Sequence, residues 1–231
     1  MMIADASPCE TSKCIADMIC IAFFFLLRPG EYACSPSDST PFTFQSIQLF
    51  RGLQRMDLQT ATEAQLLTST FASLTFDTQK NAVRGEVIGQ APSGDRLLCP
   101  NRAIARRIIH LRRHNAQPDS PLYLAYTDLG PYSVKPSDIT VLLRQAVLFL
   151  GPALGFLSKD VTARCLRAAG ANALLCAGVD TDIIRLLGRW RSDEMLRYLH
   201  TQAGPVLRDF AKKMLSGGNF TLIPNQAVPS F

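Results

Sequence analysis

The stretch Thr162-Ala-Arg-Cys-Leu-Arg167-Ala-Ala-Gly-Ala171 runs on through Gly178-Val-Asp180 and Leu187-Gly-Arg-Trp190 to Tyr198-Leu-His200. Leu166, Ala169, Ala173 and Cys176 recur at helical spacing, which predicts a helix over 159–177 with those four residues as its apolar stripe. Arg164 and Arg167 are three residues apart, so on that helix their guanidinium groups are expected to converge on one spot. Thr181-Asp182 and Ser192-Asp-Glu194 each offer a capping oxygen followed by acid in the first turn. They predict helices over 181–188 and 192–201, separated by the break Gly188-Arg189-Trp190, with Tyr198 on the second.

Upstream of this block the pattern is mixed. Cys14 to Leu27 is an apolar helix that Arg28-Pro29-Gly30 is expected to end. Phe42, Phe44, Ile47 and Leu49 suggest short strands after a loop over 34–41. Phe71 to Phe76 alternates with period two, turns through Asp77-Thr-Gln-Lys-Asn-Ala82 and returns as Val83 to Ile88, which predicts a β-hairpin with Lys80 near its tip. Further helices are expected near 100–115, 137–150 and 204–215. The fold class is therefore α+β, mainly helical, with a small antiparallel sheet. On helix 100–115, Ile104, Ile108 and Leu111 fall on one side and Arg102, Arg106 and Arg113 opposite, and no acid interrupts Cys99 to Ala116. A phosphate-facing basic stripe is one reading of that helix, a solvated face the other.

Composition narrows the function classes. The chain has 231 residues, 47% of them hydrophobic, with a net charge of +5, and is long enough to bury a core without disulfide or metal staples. Its 7 cysteines form no C-x-x-C pair and read as reduced intracellular thiols. The apolar run around Cys20 to Leu27 falls short of the ~20 residues a bilayer span needs and carries Asp17 upstream, so no membrane partner is expected. A secretory leader is disfavoured by Asp5 and Glu10 in a segment without a basic residue. Neither G-x-x-x-x-G-K-[ST] nor G-x-G-x-x-G occurs, so no nucleotide cofactor is expected. His110 and His114 share a helix face but lack a third ligand in the pattern, so no metal is expected either.

The order Arg28, Lys80, Arg164/Arg167, Arg189, Tyr198 resembles the tyrosine recombinase, or phage-integrase-like, family. Phe25-Leu-Leu-Arg28-Pro-Gly-Glu-Tyr32 matches that family's first arginine box, and Asp77-Thr-Gln-Lys80-Asn its hairpin lysine. The opening stretch matches the second box, in wording most similar to tyrosine-recombinase retrotransposons and Crypton-type elements of eukaryotes. The resemblance spans residues 14 to 205 and implies the family's catalytic-domain fold. It also implies a DNA strand transferase for DNA recombination and integration, with double-stranded DNA as partner and a homo-oligomer assembled on it. An intracellular location follows, nuclear in a eukaryote.

In the chemistry so implied, Tyr198 attacks a phosphate to give a 3′-phosphotyrosyl link, Arg28 and Arg167 grip the non-bridging oxygens, and Lys80 protonates the leaving 5′ oxygen. Two positions depart from the family. Arg164 stands where His or Lys is usual, and a guanidinium cannot act as a general base. Arg189 fills the usual His/Trp position, where a donor to the phosphate is wanted. A catalytically degenerate DNA-binding relic of a mobile element and a type IB topoisomerase-like enzyme are the competing readings. Residues 1–13 are expected to be frayed, 14–215 to form the catalytic domain and 216–231 a flexible tail, with the family's N-terminal core-binding domain absent.

Overall fold

The computed structural model describes residues 9–36, 40–77, 85–150, 157–192, 195–196 and 199. Lys80, Tyr198, the expected helix 204–215 and the tail 216–231 lie outside the described residues.

The chain's central element is helix α1 (Glu10–Phe24). It is apolar on nearly every side, and Cys14, Ile15, Met18, Cys20, Ile21 and Ala22 are all buried, so it must be covered all round. Helix α1 starts at Glu10, whose carboxylate pairs with Lys13 at 2.8 Å, so the expected fraying to residue 13 is wrong for residues 10–13. After it the chain does not simply stop at Arg28-Pro29-Gly30. Pro29 takes the first position of a short helix α2 (Pro29–Tyr32), where its fixed φ suits a helix start and its missing N–H costs nothing.

A four-stranded antiparallel sheet follows, in the order β2-β1-β3-β4, from β1 (Ile47–Arg51), β2 (Gln54–Arg55), β3 (Phe71–Phe76) and β4 (Glu86–Gln90). Register pairs Ile47 with Leu74 and Leu74 with Ile88, which stacks Leu49, Ala72, Leu74 and Phe76 into the core. Phe42 and Phe44 are buried but form no strand, since Phe44 opens a 3-10 turn. Between β2 and β3 lies the unforeseen helix α3 (Glu63–Leu67), capped by Thr62.

Helix α4 (Pro100–Arg113) packs on α1 and α3 and buries Ile104, Ile108 and Leu111, as its periodicity predicts. A second hairpin, β5 (Leu124–Thr127) with β6 (Gly130–Ser133), was not foreseen, although Asp128-Leu-Gly130 is a turn signal and Gly130 adopts φ +106°. Helices α5 (Pro136–Leu150), α6 (Cys165–Cys176) and α7 (Thr181–Leu187) complete the described fold. Helix α6 begins six residues later than its periodicity suggested, because Ser158–Asp160 forms a separate 3-10 turn.

The buried face of α6 also differs from expectation. It runs through Leu166, Arg167, Gly170 and Ala171, while Ala169 and Ala173 are exposed. The cause is a close crossing over the end of α1: a Cβ on Gly170 would sit 2.3 Å from the Phe23 carbonyl oxygen. A small apolar cluster of Leu26, Ala171, Ile184, Trp190, Met195 and Leu199 lies apart from the main core at this crossing. The architecture is thus α+β with a small antiparallel sheet, and among the described residues no helix is long and apolar enough to cross a membrane.

Candidate functional site

The C-terminal end of α1 presents carbonyls that no further helical turn can satisfy. The chain leaves this end through Leu26, whose φ of +52° places it in the left-handed region. Leu27 N–H donates to Ala22 at 2.9 Å and Leu26 N–H to Phe23 at 3.4 Å, the bonding pattern of a Schellman turn with leucine where glycine is usual. Three side chains from distant segments then cap the remaining carbonyls. Gln90 donates to Phe24 at 2.9 Å, Arg167 Nη1 to Leu26 at 2.9 Å, and Arg189 to Phe25 at 3.3 Å and Leu26 at 3.4 Å. Two cations at the negative end of a helix dipole are favourable whatever else they do.

Arg189 reaches this position from a second turn of the same kind. At the end of α7, Trp190 N–H donates to Arg185 and Arg189 N–H to Leu186, both at 3.0 Å, and Arg189 itself has φ +57°. Holding a non-glycine residue there costs about 1–2 kcal/mol. Gly188 is required for a different reason: Trp190 folds back so closely that a Cβ on residue 188 would lie 1.6 Å from its ring. The returned indole lies under the Arg167 guanidinium, 4.1 Å from its centroid, and Arg167 Nη2 donates to the Gly188 carbonyl.

Glu31 completes the cluster. Its carboxylate, 1% exposed, accepts from Arg28 N–H at 2.7 Å, from Arg28 Nη1 at 3.2 Å and from Arg189 Nη2 at 2.9 Å. Arg28, Arg167 and Arg189 are therefore brought together around residues 25–31 with one buried carboxylate among them. Burial lowers the pKa of Arg189, and Arg28 lowers it further, against the opposing fields of Glu31 and Glu86. Its Nε–H is buried and meets no acceptor among the described residues. The guanidinium lies 3.9 Å from the centroid of Phe76, the last residue of β3, from which the chain continues towards Lys80. Arg28 remains about a quarter exposed, whereas Arg167 and Arg189 are buried.

Arg164 does not join them. It precedes the first residue of α6 and is exposed, while Arg167 is buried over Trp190, so the expected convergence of these two guanidinium groups is not what the structure shows. The three arginines of α4 are also unlike one another. Arg106 Nε donates to the buried Asp17 of α1 at 2.8 Å, Arg113 makes a two-pronged pair with Glu63 of α3 at 2.9 and 2.7 Å, and Arg102 is half-buried with no acid partner among the described residues. A window free of acids in sequence is thus largely neutralised in space. The same helix buries Arg107, which donates to the carbonyls of Leu122 and Leu124.

His110 and His114 serve the β5–β6 hairpin. His110 Nε2 accepts from Tyr126 N–H at 2.8 Å, which leaves the proton on Nδ1, 3.3 Å from Glu10. Burial lowers the pKa of His110 to about 4, with Arg107 adding to the effect. His114 stacks on Tyr126 at 4.6 Å between centroids. Among the described residues no group of three His, Cys, Asp or Glu side chains is arranged to hold a metal ion.

Sequence reasoning overlooked Glu31, although an acid three residues after Arg28 at a Pro-led helix start is a capping-box signal. It also overlooked Phe76 and Gln90, for which no local signal exists. A scan of protein-family models and a search of curated proteins return no match to this chain.

Proposed function

We propose that the chain is the catalytic domain of a tyrosine-recombinase-type DNA strand transferase, in which Arg28, Arg167 and Arg189 build the corner that meets one phosphate. The observation that carries this reading is the gathering of those three arginines, from segments 139 and 161 residues apart along the chain from Arg28, at the end of α1.

In the reaction, the Tyr198 oxygen attacks phosphorus and forms the new P–O bond as the P–O5′ bond breaks. The 5′ oxygen leaves as a hydroxyl with a proton from Lys80, and the phenolic proton passes to water, since Arg164 cannot accept it. The part-exposed Arg28 stabilises the charge on the pentavalent phosphorus, and Arg167 and Arg189, buried against the carbonyls of residues 25, 26 and 188 and against Glu31, hold the corner that presents it. Arg164, exposed just before α6, acts as a donor to DNA phosphate.

The test is incubation with nicked duplexes of randomised sequence, followed by denaturing electrophoresis. A covalent protein–DNA adduct that disappears in Tyr198→Phe, with DNA affinity retained, is the expected result. An undiminished adduct in Tyr198→Phe would assign the attack elsewhere. Tyr32 is not the substitute, because its hydroxyl is buried and donates to Ala163 at 2.8 Å. The position of Arg164 favours a second reading, a DNA-binding relic: it binds duplex but yields no adduct.

A further inference from the structure

The segment that leads into α6 has no regular structure after Asp160, yet its backbone is held from three sides. Arg144 of α5 donates to the carbonyls of Val161 at 3.0 Å and Lys159 at 3.2 Å. Thr140, one turn earlier on α5, donates its hydroxyl proton to Pro136 at 2.8 Å, which turns its lone pairs to the N–H of Ala163 at 3.0 Å. Tyr32, the last residue of α2, donates to the carbonyl of Ala163 at 2.8 Å. Both polar groups of one residue, the one before Arg164, are thus fixed by side chains from two other elements.

We infer that Tyr32 and Thr140 are positioning residues of the proposed site. Together they clamp Ala163 and so set where Arg164 and the first turn of α6 stand relative to Arg28. The inference rests on the strand-transferase reading for its ligand, a DNA phosphate. The geometry is suited to the task. Tyr32 and Arg28 belong to the same short helix and its cap, so the clamp transmits the position of one cationic segment directly to the other. The Tyr32 ring is wholly buried, which leaves the hydroxyl no water to exchange with, and burial raises its pKa, so it stays a donor at every working pH. The bond to Pro136 fixes the Thr140 hydroxyl rotor, with a lone pair turned to Ala163 N–H. A valine of the same shape would lose both bonds.

The experiment is a double-mutant cycle on DNA affinity, which needs no catalysis. Binding of a fluorescein-labelled duplex of arbitrary sequence is followed by anisotropy at low salt, where phosphate contacts dominate. Arg164→Gln is expected to weaken binding about 5-fold in the native background and less than about 2-fold in Tyr32→Phe or Thr140→Val, because an unclamped Arg164 has little left to lose. Thr140→Ser keeps the hydroxyl and should restore the full Arg164 effect. A purely structural role would lower the melting temperature of Tyr32→Phe but leave the Arg164→Gln factor the same in every background, and that result would overturn the inference. Thermal melts of each variant, run alongside, confine the comparison to folded protein. If the native chain fails to bind duplex at all, the strand-transferase reading itself falls. If it binds and the cycle shows no coupling, only the clamp does.

Discussion

Arg189 and Glu31 form an ion pair with both side chains essentially excluded from solvent, Nη2 to Oε2 2.9 Å, across 158 residues of chain. Neither charge has water to fall back on. A buried pair of this kind is not in itself a large source of stability, but breaking it strands the remaining charge.

Glu31→Gln should therefore destabilise the fold by about 3–5 kcal/mol, seen as a shift of the urea midpoint with little change in slope. Replacing the exposed Glu63, which holds Arg113 at the surface, should cost under about 1 kcal/mol. Equal effects from the two substitutions would contradict the burial described for Arg189.

Arg164 offers a direct test of chemistry. With no group there to accept the phenolic proton, cleavage is expected to be slow and to rise with ionisation of Tyr198. Arg164→His should accelerate adduct formation by roughly 10²-fold if general-base help is what is missing. A native rate that is flat from about pH 6 to 9, and slower in Arg164→His, would show that Tyr198 is activated by another group.

On α4, the ion pairs of Arg106 and Arg113 alter what salt titration should show. On the proposed reading, log affinity for duplex should fall linearly with log salt, by about 0.9 per phosphate neutralised. Arg102→Gln alone should produce most of whatever slope change the triple Arg102/Arg106/Arg113→Gln variant produces, because the other two already face Asp17 and Glu63. A triple variant whose slope falls by about three phosphates would mean that DNA displaces both acids.

His110 gives the fold a pH dependence. Its folded pKa of about 4 lies below the ordinary 6.5, so between those values the unfolded chain binds more protons. Stability from this group is complete above about pH 6.5 and is lost as pH falls towards 4. His110→Gln keeps an acceptor for Tyr126 N–H and should flatten that part of the stability profile. A profile unchanged over that window in His110→Gln would remove His110 as its source.

Much of the architecture was legible because it depends on local pattern. The largely apolar α1, the alternation in Phe71–Phe76 and the stripe of Ile104, Ile108 and Leu111 each state which face is buried, and the structure follows them. The ordered set of Arg28, Arg167 and Arg189 likewise stood out, and the three do meet. What could not be read was pairing across distance. Asp17 lies 89 residues from Arg106 and Glu63 lies 50 from Arg113, so nothing near either arginine announces its partner. The buried stripe of α6 was misjudged because apolar spacing favoured Ala169 and Ala173, whereas Gly170 and a buried arginine face α1.

The capping of α1 by Arg167 and Arg189 also has a consequence for synthesis. The Leu26 carbonyl emerges from the ribosome 141 residues before Arg167 and 163 before Arg189. At about 5–20 residues per second, that is a wait on the order of ten seconds. Throughout it the Leu26 carbonyl lacks its arginine partners, although Gln90 can already reach Phe24, and the long loop must close before either arginine contributes anything. The corner that gathers the three arginines is thus completed only after residue 189 has been made. A nascent chain halted before residue 167 would hold the sheet and α4 with the Leu26 carbonyl still uncapped by either arginine.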